Sequence, residues 1–230
     1  MMAALAGVLW RSLPRYRGGL ELSYPKVLAS VVAIFRREPV LRRRALYGSL
    51  SFAVFSVLWT SLAFLLSAAP YRYGAGTIGL FGLAGAAGVV MASVAGRFAD
   101  AGKQQAMTVA TALAMSAAFV VMLLASRELV ALVIAIVLLD LGCQGMHITN
   151  QSEIYALGGE ARSRVNSAYM TCYFTGGVLG SVGSALCYGS FGWTGVAALG
   201  TALATLALLL SFTDGRFRRH QAALAIAAAG

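Results

Sequence analysis

Long apolar runs alternate with short polar connectors over most of the chain. A helix needs about 20 apolar residues to cross the hydrocarbon core of a bilayer, and six runs are this long. They cover residues 45–68, 76–98, 105–125, 129–152, 165–190 and 193–212. The connectors are short and contain turn-forming residues, so neighbouring spans should be antiparallel. The pattern predicts an all-α integral membrane protein with six transmembrane helices.

Composition and charge support this location. Of the 230 residues, 59% are hydrophobic and only 11% are charged, whereas about a quarter of the residues in a soluble domain are charged. Of the 18 Lys and Arg residues, only Arg72 and Arg127 lie on one side of the predicted topology. Because basic loops stay in the cytoplasm, we expect a multi-pass protein of the plasma (bacterial inner) membrane with both termini cytoplasmic. The positive charge then requires no nucleic-acid partner.

The predicted organisation has three parts. Residues 1–44 are interpreted as the remnant of a preceding helix plus a basic cytoplasmic linker, residues 45–212 as the six-helix transmembrane bundle, and residues 213–230 as a cytoplasmic tail. The apolar stretch at residues 1–10 is too short to span a bilayer and lacks the basic start of a secretory signal. The alternative for this stretch is a short interfacial anchor.

The fourth predicted span carries a polar face. Asp140, Gln144, His147 and Gln151 lie at positions i, i+4, i+7 and i+11, so they share one side of a helix. A carboxylate near the centre of a bilayer costs at least about 2.5–3.5 kcal/mol, so this face must meet a wet cavity or polar partners. We expect it to line a pathway for a small-molecule substrate and for protons. The alternative is a structural network with hydroxyl groups of a neighbouring helix.

Hydroxyl and aromatic side chains on two other spans are further candidates for this pathway. Ser56, Trp59 and Thr60 lie close together on the first span, and Tyr169 and Tyr173 lie one turn apart on the fifth. Such groups suit a small organic ligand. Hydroxyl groups in membrane helices also bond their own backbone, which is the structural alternative.

Small residues recur every four positions in the second and fifth spans. They predict two helix-packing seams, one through Ala84, Gly88 and Ala92 and the other through Gly176 and Gly180. Seams of this kind let helix backbones approach closely in lipid. Static packing and sliding contact between moving bundles are both open at this point.

Enzyme motifs are missing from the sequence. It has no GxSG or HExxH motif and no phosphate-binding loop. Its three cysteines lack the spacing of metal ligands. We therefore expect no enzymatic activity, no cofactor and no metal.

Three stretches resemble transporters of the major facilitator superfamily. Residues 38–45 (EPVLRRRA) resemble the entry to the seventh helix of that family, and residues 160–170 with 176–180 resemble the tenth-to-eleventh connection of bacterial efflux permeases. Residues 96–103 (GRFADAGK) resemble the signature loop between the second and third helices of each half, although this copy is one residue short after its aspartate. The resemblance covers nearly the whole chain and implies a gating loop formed by Gly96, Arg97, Asp100, Gly102 and Lys103.

The resemblance also implies an architecture and a function. The chain would be the C-terminal half of such a transporter, built from two inverted three-helix repeats. Its first and fourth spans would line the cavity, its second and fifth would pack against the other half, and its third and sixth would face lipid. The implied function is that of a secondary active antiporter, exporting a small organic solute by proton-coupled alternating access. Its partner would be a missing N-terminal six-helix half or a second copy. A non-transporting six-helix scaffold or assembly subunit is the alternative.

Overall fold

The computed structural model describes residues 5, 7, 24–84, 88–157 and 162–229, and all regular structure within them is α-helical. The all-α prediction is therefore confirmed for this part of the chain. The stretch predicted as a helix remnant, residues 1–10, lies outside the described residues apart from residues 5 and 7. The helices are α1 (Tyr24–Arg37), α2 (Pro39–Ser67), α3 (Ala75–Ala84), α4 (Gly88–Asp100), α5 (Gln104–Leu124), α6 (Leu129–Ala156) and α7 (Arg162–Ala229).

Within the described ranges, four helices are long and apolar enough to cross a membrane. They are α2, α5, α6 and the 54-residue part of α7 from Arg162 to Gly215. The predicted second span coincides with α3 and α4, which have 10 and 13 residues, and residues 85–87 between them lie outside the description. The structure thus supports a multi-pass membrane protein, while the number of six spans stays a prediction.

The helix α7 changes direction at Gly192. This residue has φ 61° and ψ −152°, a region of backbone space that is open essentially to glycine alone. The first arm, residues 162–191, runs beside α2, and the Tyr188 and Phe64 rings meet at 5.2 Å. The second arm, residues 193–229, returns toward the start of α2, where Asp214 contacts Arg44. The single continuous helix is therefore two antiparallel arms, at the place where the sequence predicts a connector.

The core forms around α2, which packs against α6 and both arms of α7. Leu58 of α2, Phe119 of α5 and Leu139 of α6 are fully buried in one cluster. Large apolar side chains also cover the outside of the bundle, including Leu113, which is 55% exposed, and Ile134, which is 59% exposed. An apolar exterior is what contact with lipid requires.

A buried ion-pair cluster ties four helices together at one end of the bundle. Arg44 is only 2% exposed, and its guanidinium lies 2.6 Å from the carboxylate of Asp214 on the second arm. It also donates a hydrogen bond to Thr108 of α5 at 3.1 Å and lies 3.6 Å from Glu153 of α6. Arg43 pairs with the same Asp214 carboxylate. We call these five residues the basic-end cluster. In the sequence, Arg43 and Arg44 belong to the basic side of the topology and to the motif at residues 38–45, but nothing there indicates their pairing.

Candidate functional site

A cavity of about 410 Å³ lies between α2, α3, α6 and the first arm of α7. Small-molecule sites in proteins have volumes of about 300–1,000 Å³. None of the described residues that line this cavity is basic. The lining residues are Phe52, Phe55, Trp59, Gly82, Asp140, Cys143, Gln144 and Tyr173.

Among the described lining residues, Asp140 is the one that carries a carboxylate. The residue is only 2% exposed to solvent. The indole N–H of Trp59 donates to Oδ1 across 3.4 Å, which is longer than a normal N–H···O bond. The other oxygen, Oδ2, is buried without a hydrogen-bond partner among the described residues. A buried carboxylate with so little compensation favours binding a proton or a cation.

Aromatic rings form a continuous row along the cavity wall. Tyr173 of the first arm stacks on Phe52 of α2, with ring centroids 4.3 Å apart and planes 11° from parallel. Phe52 lies 5.8 Å from Phe55, and Phe55 lies 5.9 Å from Trp59. The row therefore leads from the first arm to the residue that donates to Asp140.

His147 lies beside this row on the same face of α6 as Asp140. Its Nδ1 is 3.1 Å from the hydroxyl of Tyr169, and its ring centroid is 4.7 Å from that of Tyr173. Tyr169 is fully buried and packs against Gly48, where an added Cβ would come within 2.7 Å of the tyrosine ring. The structure thus joins His147 to Tyr169 and Tyr173, two of the predicted pathway residues.

Three other predicted pathway residues lie outside the cavity. The hydroxyl of Thr60 donates to Ser181 of the first arm at 3.1 Å. Ser56 faces the same arm, because a Cβ added at Gly177 would lie 3.2 Å from its hydroxyl oxygen. Gln151 is half-buried and is not among the described lining residues. The structure places both hydroxyl groups at a helix–helix contact.

The two glycines of the seam predicted in the fifth span lie against α2 of the same chain. A Cβ added at Gly176 would overlap the carbonyl oxygen of Ser49, and one added at Gly180 would overlap that of Ala53. The resemblance assigns this helix to the contact with the other half. In the structure its glycine side meets α2 and its exposed side carries large apolar residues, such as Val178, which is 63% exposed.

The other predicted seam and the gating loop lie around α4. Ala84 ends α3, whereas Gly88 and Ala92 lie in α4, and the surroundings of these three residues are outside what the structure describes. After α4 the chain turns through Gly102, whose φ of 70° is in the left-handed region. Arg97 and Lys103 are exposed on either side of this turn. The predicted gating residues Gly96, Arg97, Asp100, Gly102 and Lys103 therefore lie in the last turns of α4 and in the connection to α5, although the side chain of Asp100 is not described.

Four cavity residues were not among the predicted site residues. Phe52 and Phe55 lie at i and i+3 on α2, on the side that also carries Trp59, and this spacing was the available signal. Cys143 lies beside the polar face of α6. Gly82 carries no signal, because its place at the cavity depends on how α3 packs.

Comparison with known proteins decides the family. The model of the Major Facilitator Superfamily matches residues 1–181 of the chain. The chain belongs to the major facilitator superfamily. The resemblance given by the sequence motifs is confirmed, and a transporter family rather than an enzyme family is indicated.

Curated relatives named as transporters align with most of this chain. The uncharacterized transporter YgaY of Escherichia coli, in strains K12 and O157:H7, is 45% identical over 223 residues, which are 97% of this chain and 56% of the relative. A protein of Streptomyces coelicolor that is named a "Probable transporter" is 33% identical over 174 residues, which are 75% of this chain and 40% of the relative. The chain spans about half the length of the curated relatives it matches.

Proposed function

We propose that this chain is the C-terminal six-helix half of a secondary transporter that exports a small organic solute in exchange for protons. One observation carries the proposal. A membrane helix holds a buried carboxylate, Asp140, on the wall of a ligand-sized cavity, and one of its oxygens has no hydrogen-bond partner among the described residues. Ionisable groups inside membrane segments are costly and mark substrate or proton pathways.

The polar face of α6 suits proton movement along the pathway. Asp140 and His147 are seven residues apart, which is about 10 Å along a helix. Asp140 can take up a proton at the cavity, and the imidazole of His147, bonded to Tyr169, offers a second site toward the basic-end cluster. We propose that solute and proton alternate at Asp140 and that His147 passes protons to or from the cytoplasm.

Alternating access requires two bundles that move against each other around a central site. The basic-end cluster supports a rigid bundle, because it joins α2, α5, α6 and the second arm of α7. The exposed Arg97 and Lys103 at the α4–α5 turn would latch onto the opposing bundle, and Asp100 would bind the N-terminus of a facing helix through its dipole. The opposing bundle would be an N-terminal half or a second copy.

The proposed location is the bacterial inner membrane, with six spans and both termini in the cytoplasm. The basic-end cluster, Arg97, Lys103, Arg162 and Arg164 would all lie on the cytoplasmic side. The positive-inside bias of short loops supports this orientation, and the return of the second arm to the start of α2 is consistent with an even number of crossings.

The proposal is tested by measuring proton-driven exchange by the protein that is encoded by the complete reading frame containing this chain. The protein encoded by this frame is reconstituted in proteoliposomes, and a pH gradient is imposed. Proton flux is recorded with a trapped pH dye while candidate solutes are added. We expect Asp140→Asn to abolish solute-dependent proton flux, because the only carboxylate among the described cavity residues is lost. The matched control is Glu128→Gln, which also replaces a carboxylate by an amide. Glu128 is exposed at the start of α6, and its side chain makes no cap hydrogen bond.

The outcome also separates transport from the scaffold alternative. If the wild-type protein shows no solute-dependent proton flux with any solute class, a non-transporting scaffold is favoured. If Asp140→Asn retains full flux, the coupling role of Asp140 is wrong.

A further inference from the structure

We infer that the cavity selects organic cations with one positive charge and an aromatic or apolar body. The Asp140 carboxylate is the group that accepts the charge, and the rings of Phe52, Phe55, Trp59 and Tyr173 surround the body. This inference rests on the proposed function in taking the cavity as the solute site. It adds the chemical class of solute.

The charge of the cavity favours a cation. Asp140 is buried and its Oδ2 has no partner among the described residues. The described lining residues hold no other ionisable group except the thiol of Cys143 and the phenol of Tyr173. An anionic solute would place a second negative charge beside an uncompensated one, which is unfavourable in a site of low dielectric constant. An ammonium or phosphonium group would supply the missing counter-charge.

Basic residues elsewhere in the bundle do not supply this counter-charge. Arg44 is paired with Asp214 and Glu153 at the end of the bundle, and Arg43 pairs with Asp214 as well. His147 has its Nδ1 on the hydroxyl of Tyr169 and does not belong to the cavity lining. The carboxylate therefore lacks an internal cationic partner within the described part of the chain.

The aromatic row favours an apolar body around the charge. The faces of aromatic rings attract cations, most strongly in sites that exclude water. Phe52 and Tyr173 form a stacked pair, and Phe55 and Trp59 extend it toward Asp140. A site for a sugar would need many hydrogen-bonding groups, but here the Trp59 N–H is already directed at Asp140. The polar groups that remain are those of Gln144 and Tyr173.

One lining carboxylate balances one positive charge. The cavity volume of about 410 Å³ suits a solute of drug or metabolite size. A dication would leave one charge uncompensated against the rings, so monovalent cations should bind more tightly than divalent ones of similar shape.

Two ions of the same shape and opposite charge test the inference. The full 230-residue chain is purified into lipid nanodiscs, and binding of tetraphenylphosphonium and of tetraphenylborate is measured by equilibrium dialysis, with binding to empty nanodiscs subtracted. We expect saturable binding of tetraphenylphosphonium only. Asp140→Asn should weaken it at least about tenfold, whereas Glu128→Gln should leave it unchanged. Phe52→Leu should weaken it by a smaller factor of about three to ten.

Folding is checked by circular dichroism and by the elution volume of each variant. Equal binding of the two ions, or unchanged phosphonium binding by a folded Asp140→Asn chain, would overturn the inference. Phosphonium binding that is independent of Asp140, together with loss of proton flux in the Asp140→Asn proteoliposomes, contradicts the cation site alone and leaves the transporter proposal standing. Binding that depends on Asp140 without any transport contradicts the transporter proposal alone.

Discussion

Two carboxylates in this chain have opposite surroundings. Asp214 is fully buried but is paired with both Arg43 and Arg44, so its charge is satisfied within the protein. Asp140 is also buried, yet within the described part of the chain it receives a single long hydrogen bond. The paired arrangement of Asp214 is typical of a structural group, whereas the uncompensated arrangement of Asp140 is typical of a site that binds a ligand or a proton.

The basic-end cluster gives a prediction about stability. Removing one partner of a buried ion pair leaves an uncompensated charge, which costs about 3–5 kcal/mol. We expect Arg44→Gln to lower the free energy of unfolding by about this amount, as measured by SDS titration followed by circular dichroism. Arg37→Gln is the control, because Arg37 is exposed at the end of α1. Equal unfolding curves for the two variants would show that the cluster does not stabilise the bundle.

Helix packing depends on glycine at two close contacts between the first arm and α2. The backbone of α2 at Ser49 and Ala53 occupies the space that a Cβ at Gly176 or Gly180 would need. Backbone atoms cannot rotate away as a side chain can, so one of the two helices must shift to accommodate an added Cβ. Lipid offers no hydrophobic force between helices, and close contact is therefore what holds this pair together.

Adding one methyl group at these contacts should separate the two helices. We expect Gly176→Ala and Gly180→Ala each to lower the free energy of unfolding by about 1–3 kcal/mol, the usual cost of overpacking. Gly189→Ala is the matched control on the same arm, since an added Cβ there meets nothing within 4 Å. SDS titration measures all three variants, and a loss of stability at Gly189 as large as that at Gly180 would contradict the close-packing account.

Some elements and site residues could be predicted from sequence and others could not. The polar face through Asp140 and Gln144 was evident, because polar residues in an apolar run have a clear period. Phe52 and Phe55 share a side of α2 with Trp59, but this spacing does not distinguish a cavity wall from a lipid-facing surface until the position of the first arm is known. A pathway role of Ser56 and Thr60 stays a prediction. Their location could not be read from the sequence, because a hydroxyl group at a helix–helix contact has the same sequence pattern as one in a cavity.

Ion pairs between residues that are distant along the chain could not be predicted from the sequence either. Arg44 and Asp214 are 170 residues apart, and nothing local distinguishes these two from other charges in loops. The reversal at Gly192, by contrast, was predicted from the small and turn-forming residues around it. Local backbone requirements leave a signal in the sequence, whereas contacts between distant helices arise only from the packing of the whole bundle.

The whole molecule combines a rigid end with a ligand-sized cavity. At one end the basic-end cluster fixes four helices, and farther along α6 the cavity brings together α2, α3, α6 and the first arm. The chain belongs to the major facilitator superfamily and spans about half the length of the curated relatives it matches. On this basis we expect the polar face of α6 to meet water and solute rather than lipid.

Labelling of introduced thiols from the aqueous phase measures whether water reaches this face of α6. Cys143, Cys172 and Cys187 are replaced by alanine, and a single thiol is introduced by Gln144→Cys in the cavity wall or by Ile134→Cys on the exposed apolar side of the same helix. The chain in bilayers is then treated with a membrane-impermeant maleimide. We predict rapid labelling of the thiol introduced at position 144 and little labelling at position 134. Equal labelling at both positions, or labelling at position 134 alone, would contradict the account.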